Sequence, residues 1–331
     1  MINKHYLVTG GTGFVGSALV RRLVLEGHNV RVLDNNLRGS AGRLSNISHQ
    51  IELIDADVRD AAAVQAACSG IDGVFHLAYL NGTEFFYSKP DLVLDIGVKG
   101  MVSVIDACMN EGVKELYLAS SSEVYQTPPA LPTDETVPLS VPDPLNPRYS
   151  YGGGKIISEL MAINYGRKYF DRVIIFRPHN VYGPDMGWEH VIPQFVVRMK
   201  EICRENDDKQ INFPVKGTGN ETRSFVFIDD FIDGLMFVIE KGKHLEIYNI
   251  GTMEEITIED VAREVGEYFG REISIIPGTP VKGGTERRCP EITKLRKLGY
   301  EPKIGFREGL KNTTQWYDEE LNKKRDQQED K

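Results

Sequence analysis

A tyrosine and a lysine one helical turn apart are the residues best suited to chemistry in this 331-residue sequence. Tyr151 and Lys155 would share one face of a helix, because residues four apart are neighbours there. A phenol titrates near pH 10, but a nearby ammonium favours the phenolate and lowers the tyrosine pKa. The pair could therefore take a proton from a hydroxyl group while hydride leaves the same carbon. Of the 14 tyrosines, only Tyr151 is followed by lysine at this spacing.

Three glycines, Gly152, Gly153 and Gly154, lie between these two residues. A glycine inside a helix costs about 1 kcal/mol relative to alanine, so three in succession need a reason. Missing side chains could leave room for a bulky substrate, or they could let the helix pack closely on a neighbour. The sequence leaves both explanations open.

A second glycine-rich stretch, "YLVTGGTGFVG", predicts a strand, a tight turn and the start of a helix. Gly10 permits the turn, Gly13 lets the backbone approach a pyrophosphate, and Gly16 lets the helix pack close to the strand. The free N–H groups at the helix N-terminus favour phosphate. Asp34 ends the next predicted strand and could accept hydrogen bonds from a ribose, which favours NAD over NADP. Arg38 is close enough in sequence to leave NADP open.

Strand and helix patterns continue to alternate along the N-terminal half, as in "IELIDADV", "DAAAVQAAC" and "GVFHLAYL". Such alternation predicts an α/β fold of the Rossmann type, with a doubly wound parallel sheet and ligands at the carboxyl ends of its strands. Asp57, the run from His76 to Tyr79 and the run from Ser120 to Glu123 should all fall at such ends. We therefore expect them to converge on one site.

Composition limits the classes of function. The formal net charge of −9 argues against a nucleic-acid surface as the main function. The four cysteines show no metal-ligand spacing, so we expect no metal site and no disulfide framework. No apolar run is long enough to span a bilayer, and no secretory signal is visible, so we expect a cytoplasmic protein.

Eight short motifs, taken in order, resemble those of the extended short-chain dehydrogenase/reductases that act on nucleotide sugars. They are "TGGTGFVG", "DADV", "HLA", "SSSEVY", "YGGGK", "RPHNVYGP", "ETRSFVFIDD" and "RRCPEI". The resemblance implies a tightly held NAD, a nucleotide-sugar substrate, Tyr151 as the base and Lys155 on the nicotinamide ribose. It implies that Ser121 aids the sugar hydroxyl, with Ser122 as the neighbour most easily confused with it.

The same resemblance assigns the remaining binding residues. Around the cofactor it implies Phe14, Val15, Asn35, Asp57, Val58, Leu77, Ala78 and Pro178. Around the substrate it implies Asn81, Asn180, Arg223 and Arg288, of which the arginines suit a diphosphate because the guanidinium pairs two oxygens at once. The stretch from Asn81 to Asp91 could wall the sugar pocket or fill core. The stretch from Trp188 to Phe195 could form a lid, although we expect no catalytic role for His190.

The resemblance also implies an organisation. We expect an NAD-binding domain over residues 1–178 and a smaller α/β substrate-binding domain over 179–325. We expect the chain to cross back into the first domain near 222–250 and to end in a tail, 326–331. Asp229 and Asp230 should cap a helix. A homodimer is implied, formed by helices near 98–111 and 154–168, whose apolar residues are Val102, Ile105, Ile156, Leu160 and Ile163.

Glu123 bears on which reaction follows oxidation at C4. Dehydratases and sugar-acid decarboxylases of this family tend to carry glutamate there, but Ser122 replaces the aspartate of the commonest 4,6-dehydratase pattern. A decarboxylase needs a further cation for the substrate carboxylate, which the sequence does not assign. We place an epimerase slightly ahead of a dehydratase or uronate decarboxylase. A non-catalytic dinucleotide sensor is the alternative from another class. Gly97 departs from the family, which usually has asparagine there.

Overall fold

A seven-stranded parallel sheet forms the centre of the molecule. The structure, a computed structural model, describes residues 3–205, 207–279 and 283–329. Along the chain the strands are β1 (His5–Thr9), β2 (Asn29–Asp34), β3 (Ile51–Asp55), β4 (Gly73–His76), β5 (Glu115–Ala119), β6 (Arg172–Pro178), β7 (Val181–Tyr182), β8 (Gln210–Pro214), β9 (Thr222–Ser224), β10 (Val226–Phe227), β11 (Glu246–Ile250), β12 (Glu255–Thr257), β13 (Glu272–Ile276) and β14 (Arg287–Arg288).

The helices are α1 (Phe14–Leu25), α2 (Ala61–Cys68), α3 (Thr83–Ser88), α4 (Pro90–Leu94), α5 (Gly100–Glu111), α6 (Tyr149–Tyr169), α7 (Val191–Glu205), α8 (Ile228–Lys241), α9 (Ile258–Tyr268), α10 (Thr293–Arg296) and α11 (Phe306–Glu329). Short 3₁₀ segments cover Ala41–Gln50 and Ser122–Tyr125. A single π-helical turn, Asp95–Lys99, joins α4 to α5. None of the helices in the described ranges is long and apolar enough to cross a membrane.

The central sheet has the order β11-β6-β5-β4-β1-β2-β3, and all its pairs are parallel. This is the doubly wound arrangement that the sequence predicts, with the order reversing between β1 and β4. Successive residues of a strand face opposite sides, so Tyr6 and Val8 enter one core while Leu7 enters the other. Helices α1 and α8 cover the first side, and α2, α5 and α6 cover the second.

Local sequence explains where these helices begin and end. The Asp60 carboxylate caps α2 by accepting hydrogen bonds from the backbone N–H groups of Ala62 and Ala63. Gly112 ends α5 in a left-handed conformation with φ of 71°, which suits glycine because it has no Cβ. Thr257 and Asp260 form a reciprocal capping box at the start of α9.

The chain beyond β6 builds most of a second, smaller α/β part. Its strands form the pairs β7–β10 and β8–β13 and the three-stranded sheet β12-β9-β14. Helices α7, α9 and α11 pack on one another there. Helix α8 and strand β11 are exceptions, because α8 packs on the central sheet and β11 lies beside β6 at the edge of that sheet.

Three local predictions need correction. The strand predicted through Leu80 ends at His76, and the following residues form a loop at the sheet edge. Helix α11 continues to Glu329, so residues 326–329 of the predicted tail are helical, and residues 330–331 lie outside the described residues. Asp229 and Asp230 lie inside the first turn of α8 and do not cap it. Asp230 instead accepts hydrogen bonds from the backbone N–H groups of Lys303 and Ile304.

Candidate active site

A cleft of about 750 Å³ opens at the carboxyl ends of the central strands and extends to the smaller part of the molecule. His76, which the sequence analysis also expected at this site, is buried beside Thr9 and does not line the cleft. The residues to which the sequence analysis gave a catalytic, cofactor-binding or substrate-binding role all line it. They are Gly10, Gly13, Phe14, Val15, Asp34, Asn35, Arg38, Asp57, Val58, Leu77, Ala78, Asn81, Ser121, Ser122, Glu123, Tyr151, Lys155, Pro178, Asn180, Arg223 and Arg288. The fold therefore brings the set together, while the role of each residue stays a prediction.

The glycine turn between β1 and α1 presents backbone to the cleft. Gly10 has φ of 75°, and a Cβ added there would lie 2.7 Å from the backbone nitrogen of Ala78. A Cβ on Gly16 would lie 2.8 Å from the Cα of Gly11 and closer still to the Gly10 carbonyl. At Gly10 and Gly16 the turn therefore lies so close to other backbone that no side chain would fit. The N-terminus of α1, at Gly13 and Phe14, faces this space and favours a pyrophosphate.

Asp34 and Arg38 lie at the far end of this turn. The Asp34 carboxylate accepts hydrogen bonds from the backbone N–H groups of Thr12, at 3.0 Å, and Asn36, at 2.9 Å. Arg38 pairs with Glu189 at 3.2 Å and lies over the ring of Phe85. An acidic residue at the end of β2 suits a ribose hydroxyl and repels a 2′-phosphate, so these residues fit NAD.

Asp57 marks the neighbouring strand end. Its carboxylate accepts hydrogen bonds from the Arg59 side chain and from Asn35 Nδ2 at 2.9 Å. These bonds, those from Arg59 first, hold the pKa of Asp57 below its ordinary value. Asn35 and Asp57 therefore form one polar rim on the cofactor side of the cleft.

The predicted catalytic pair is buried. Tyr151 is 6% exposed and Lys155 is 3% exposed. Burial raises the pKa of Tyr151 well above its ordinary value, and a hydrogen bond with the Ser121 side chain partly offsets this. Burial also lowers the pKa of Lys155 to about 7, against the opposing effect of Glu159. The Lys155 ammonium donates a hydrogen bond to the Ala119 carbonyl at 2.6 Å. The expectation that the lysine depresses the tyrosine pKa therefore fails in this structure, because desolvation dominates both groups.

The glycines of α6 answer the question that the sequence left open. A Cβ on Gly154 would collide with the hydroxyl of Tyr79, and a Cβ on Gly152 would collide with Gln126. A Cβ on Gly153 would meet only Val141, at an ordinary 3.5 Å. The space above Gly152 and Gly154 is filled by protein side chains, so it offers no room for a bulkier substrate.

An ionic cluster around Glu123 forms the opposite end of the cleft. Arg288 donates a hydrogen bond to the Glu123 carboxylate at 2.7 Å, and Arg148 lies 3.6 Å from the same oxygen. Burial alone would raise the pKa of Glu123, but the charges of Arg288 and Arg148 leave it below its ordinary value. Glu123 is therefore ionised at neutral pH although it is largely enclosed.

Arg148 is a site residue that sequence reasoning missed. Its side chain is only 9% exposed and lines the cleft, and its buried Nε has no hydrogen-bond partner in the part of the chain that the structure describes. A buried guanidinium with an unused donor is costly, so it marks a place where an acceptor is expected. The available signal was its position three residues before Tyr151.

Arg223 and Asn180 complete the anionic side of the cleft. Arg223 donates hydrogen bonds to the carbonyls of Thr222 and Thr285, at 2.7 and 2.8 Å. Burial first, and then the charge of Arg288, lower the pKa of Arg223 to about 10. Asn180 holds a left-handed φ of 41° and donates to the Ser224 carbonyl. The arrangement places concentrated positive charge where a diphosphate is predicted.

The stretches 81–91 and 188–195, whose roles the sequence left open, each contribute residues both to the cleft wall and to packing. In the stretch after Asn81, Phe85 lines the cleft while Phe86 is buried and stacks on Tyr151 at 4.7 Å. His190 lines the cleft near Arg38, where burial lowers its pKa. Trp188 lines the cleft and packs on Tyr317.

A doubly wound sheet, a phosphate-binding glycine turn and a buried Tyr–Lys pair define a nicotinamide-dependent enzyme site. Residues 6–251 match the NAD dependent epimerase/dehydratase family. The chain belongs to this family, and NAD is its cofactor.

Curated relatives narrow the comparison. The chain is 29% identical over 330 residues to the UDP-N-acetyl-alpha-D-glucosaminuronate decarboxylase of Bacillus cytotoxicus, covering 96% of this chain and 99% of that protein. It is 33% identical over 316 residues to UDP-glucuronic acid decarboxylase 6 of Arabidopsis thaliana, covering 93% and 87%. Both names concern decarboxylases of nucleotide-linked sugar acids.

Solved structures share the fold at similar identity. A dTDP-glucose 4,6-dehydratase from Streptomyces venezuelae, crystallised with NAD, has a TM-score of 0.84 at 28% identity, covering 96% of this chain and 98% of that one. The UDP-glucose 4-epimerase of Thermotoga maritima, crystallised with UDP-glucose, has a TM-score of 0.83 at 27% identity, covering 96% and 99%. One fold therefore serves several outcomes, and the reaction must be argued from the site.

Proposed function

We propose that this enzyme decarboxylates a nucleoside-diphosphate uronic acid after oxidation at C4. The observation that carries the proposal is Arg148, a buried guanidinium with an unused donor beside the Glu123–Arg288 pair. Arg223 and Arg288 are predicted to meet the diphosphate. A sugar carboxylate adds one more negative charge, and Arg148 supplies one more cation near it. This is the further cation that the sequence alone did not assign.

The proposed chemistry needs few protein groups. NAD, when bound, supplies the hydride acceptor for C4 and later returns the hydride. Tyr151 is placed to accept the proton of the C4 hydroxyl, and Ser121 orients that oxygen by hydrogen bonding. Because burial raises the pKa of Tyr151, this role requires added positive charge beside the phenol, which the nicotinamide of bound NAD and the protonated form of Lys155 would supply. The C4 ketone makes the C6 carboxylate a β-keto acid.

Carbon dioxide then leaves as the C5–C6 bond breaks, and its electron pair moves onto the C4 oxygen as an enolate. Hydrogen bonds from Tyr151 and Ser121 to that oxygen stabilise the enolate. A proton from water then adds to C5 and replaces the carboxyl group, and Tyr151 returns the C4 hydroxyl proton when the ketone is reduced again. The cleft must also release carbon dioxide without releasing the sugar, which the arginines on the diphosphate ensure.

The other outcomes fit this site less well. Loss of water from C6 needs an acid near that hydroxyl, and Ser122, which stands where many dehydratases have aspartate, is a poor one. An epimerase, which the sequence analysis placed slightly ahead, needs no further cation when its sugar is neutral, so a third arginine does not favour it. The names of the relatives favour the decarboxylase as well.

The test uses the purified holoenzyme with UDP-glucuronic acid and UDP-N-acetylglucosaminuronic acid. We expect release of carbon dioxide and a product lighter by one carboxyl group, identified by mass and NMR. The matched neutral substrates, UDP-glucose and UDP-N-acetylglucosamine, should yield no carbon dioxide. A product of unchanged mass would favour an epimerase, and loss of water would favour a dehydratase. Either outcome would overturn the proposal.

We also propose a homodimer through helices α5 and α6. Val102 is 40% exposed on α5, and Ile157 and Leu160 are 41% and 56% exposed on α6. Ile105, named from the sequence as part of this face, is instead buried in the core. Light scattering should give twice the chain mass, and Leu160→Arg should give one chain mass with an unchanged circular dichroism spectrum. A monomeric parent protein would contradict the proposal.

A further inference from the structure

The Tyr79 side chain packs against Gly97 and Gly154, at positions where neither residue has a side chain. A Cβ on Gly97 would come closer than 3.0 Å to three atoms of the Tyr79 ring and hydroxyl. A Cβ on Gly154 would come closer than 3.0 Å to the hydroxyl, but would lie 3.4 Å from ring carbon Cζ. Gly97 lies in the π-helical turn Asp95–Lys99, where the helix is locally widened. The loop after β4, the π-helical turn and helix α6 therefore pack closely together at Tyr79.

The ring of Tyr79 touches both members of the predicted catalytic pair. The Lys155 ammonium lies 4.0 Å from its centre, well inside the range of a cation–π contact. The ring of Tyr151 meets it edge to face, with centres 5.1 Å apart. Lys155 is farther from the ring of Tyr151 itself, at 5.8 Å. The aromatic face nearest the lysine is therefore that of Tyr79.

The surroundings of Lys155 show why such a face matters. An ammonium has three donors, and the structure gives Lys155 one hydrogen-bond acceptor among the described residues, the Ala119 carbonyl. The negative face of the Tyr79 ring is a second favourable contact for the ammonium, in addition to the attraction of the Glu159 carboxylate. The hydroxyl of Tyr79 is itself buried and finds no partner within the described ranges. The ring, not the hydroxyl, is what contacts the pair.

We propose that Tyr79 is a positioning residue that sets the lysine and tyrosine of the catalytic pair, and that Gly97 and Gly154 exist to admit it. The catalytic part of this statement rests on the proposed function. The packing part does not, since it concerns only how the folded chain fits together. The two parts are therefore tested separately.

The packing test compares alanine at Gly154 in two backgrounds of the holoenzyme. We expect Gly154→Ala alone to lower the midpoint of thermal unfolding by about 5 °C, because the new methyl collides with the hydroxyl. In a Tyr79→Phe background that hydroxyl is gone, and the same change should raise the midpoint because alanine favours a helix. Gly153→Ala, which meets only Val141, should raise it in both backgrounds.

Gly97 gives the opposite pattern and completes the test. A methyl there collides with ring carbons as well as the hydroxyl, so Tyr79→Phe should not rescue Gly97→Ala. An equal effect of Gly154→Ala in both backgrounds would overturn the packing part, whatever reaction the enzyme catalyses.

The positioning test compares Tyr79→Phe with Tyr79→Leu. Phenylalanine keeps the aromatic face, whereas leucine fills space without it. We measure the formation of reduced nicotinamide absorbance with nucleotide sugars, a step common to decarboxylase, dehydratase and epimerase. Tyr79→Leu should lower kcat about tenfold with little change in KM, and Tyr79→Phe should restore most of the rate. Equal rates for the two variants would overturn the positioning role without touching the decarboxylase proposal.

Discussion

The two ends of the cleft are built in different ways. The cofactor end comes largely from one continuous stretch, in which the turn after β1, helix α1 and Asp34 follow one another within residues 10–38. The opposite end is assembled from Glu123, Arg148, Arg223 and Arg288, which are far apart in sequence. At the first end backbone packs on backbone. At the second, charged side chains meet across the fold, so their pairing depends on the whole topology.

The largest effect should come from breaking the continuous end. Gly16→Ala places a methyl against the Gly10 carbonyl and the Gly11 backbone, none of which can yield as a side chain could. We expect a loss of about 3 kcal/mol or more of unfolding free energy, and at least a hundredfold weaker binding of NAD. Gly305→Ala, where a Cβ meets nothing within 4 Å, is the matched control. Denaturant unfolding and calorimetric titration with NAD measure both, and an unchanged NAD affinity would contradict the geometry.

Arg148→Gln should break the assembled end and spare the other. Removing the third cation should lower kcat/KM for a uronate substrate about thirtyfold, since truncating one partner of a buried charge pair costs about 2 kcal/mol or more. Affinity for NAD should not change. Arg38→Gln, at the cofactor end, is the matched control. It should change the affinity for NAD but have little effect on the ratio of kcat/KM between uronate and neutral substrates. Equal losses for uronate and neutral substrates in Arg148→Gln would argue against a carboxylate contact.

Asp34→Ser tests whether the Asp34 carboxylate, at the cofactor end, selects NAD over NADP. The variant removes the negative charge that opposes a 2′-phosphate but keeps a small acceptor at the end of β2. We expect the ratio of NAD to NADP affinity to fall about tenfold, measured by titration with each dinucleotide. Asn35→Ser, at the adjacent position, should leave that ratio nearly unchanged. If both variants shift the ratio equally, Asp34 is not the discriminating group.

A smaller effect concerns the pH dependence of stability, to which Lys155 and Glu123 contribute in different pH ranges. Lys155 titrates at about 7 in the folded protein but near its ordinary 10.5 when unfolded. Between these values the unfolded chain binds the extra proton, so stability should rise with pH, by at most about 1.4 kcal/mol per unit. Lys155→Met should flatten this rise in nucleotide-free protein, measured by urea unfolding between pH 7 and 9.

Glu123 acts in another window. Its folded pKa lies below the ordinary value, so its contribution is present above the unfolded pKa and is lost as pH falls through the folded one. Glu123→Gln should therefore leave the slope between pH 7 and 9 unchanged and reduce the loss of stability in acid. A changed slope above pH 7 would contradict this assignment.

What the sequence could predict follows the same division. The turn at Gly10, the helix at Phe14 and the carboxylate of Asp34 are local in sequence, so spacing alone indicates their geometry. The same holds for the alternation of strands and helices that predicts the parallel sheet, which the structure and its relatives confirm.

The rest depends on contacts between distant segments. Tyr79 explains Gly97 and Gly154, yet nothing near those glycines in the sequence points to it. Arg148 is only three residues before Tyr151 in the sequence, but its position beside Glu123 is visible only in the folded structure. Burial, which reverses the expected effect on the Tyr151 pKa, is likewise a property of the assembled core.

Strand β11 has a consequence for how this chain can be divided. It pairs with residues 174–178 of β6. Along the chain, however, strands β7 to β10 and helices α7 and α8 lie between β6 and β11. A fragment ending at Pro178 would leave that edge with unpaired N–H and C=O groups, open to association with other chains. Recombination that exchanged the smaller part between relatives would therefore need junctions on both sides of β11, because a single crossover would separate the sheet from its last strand.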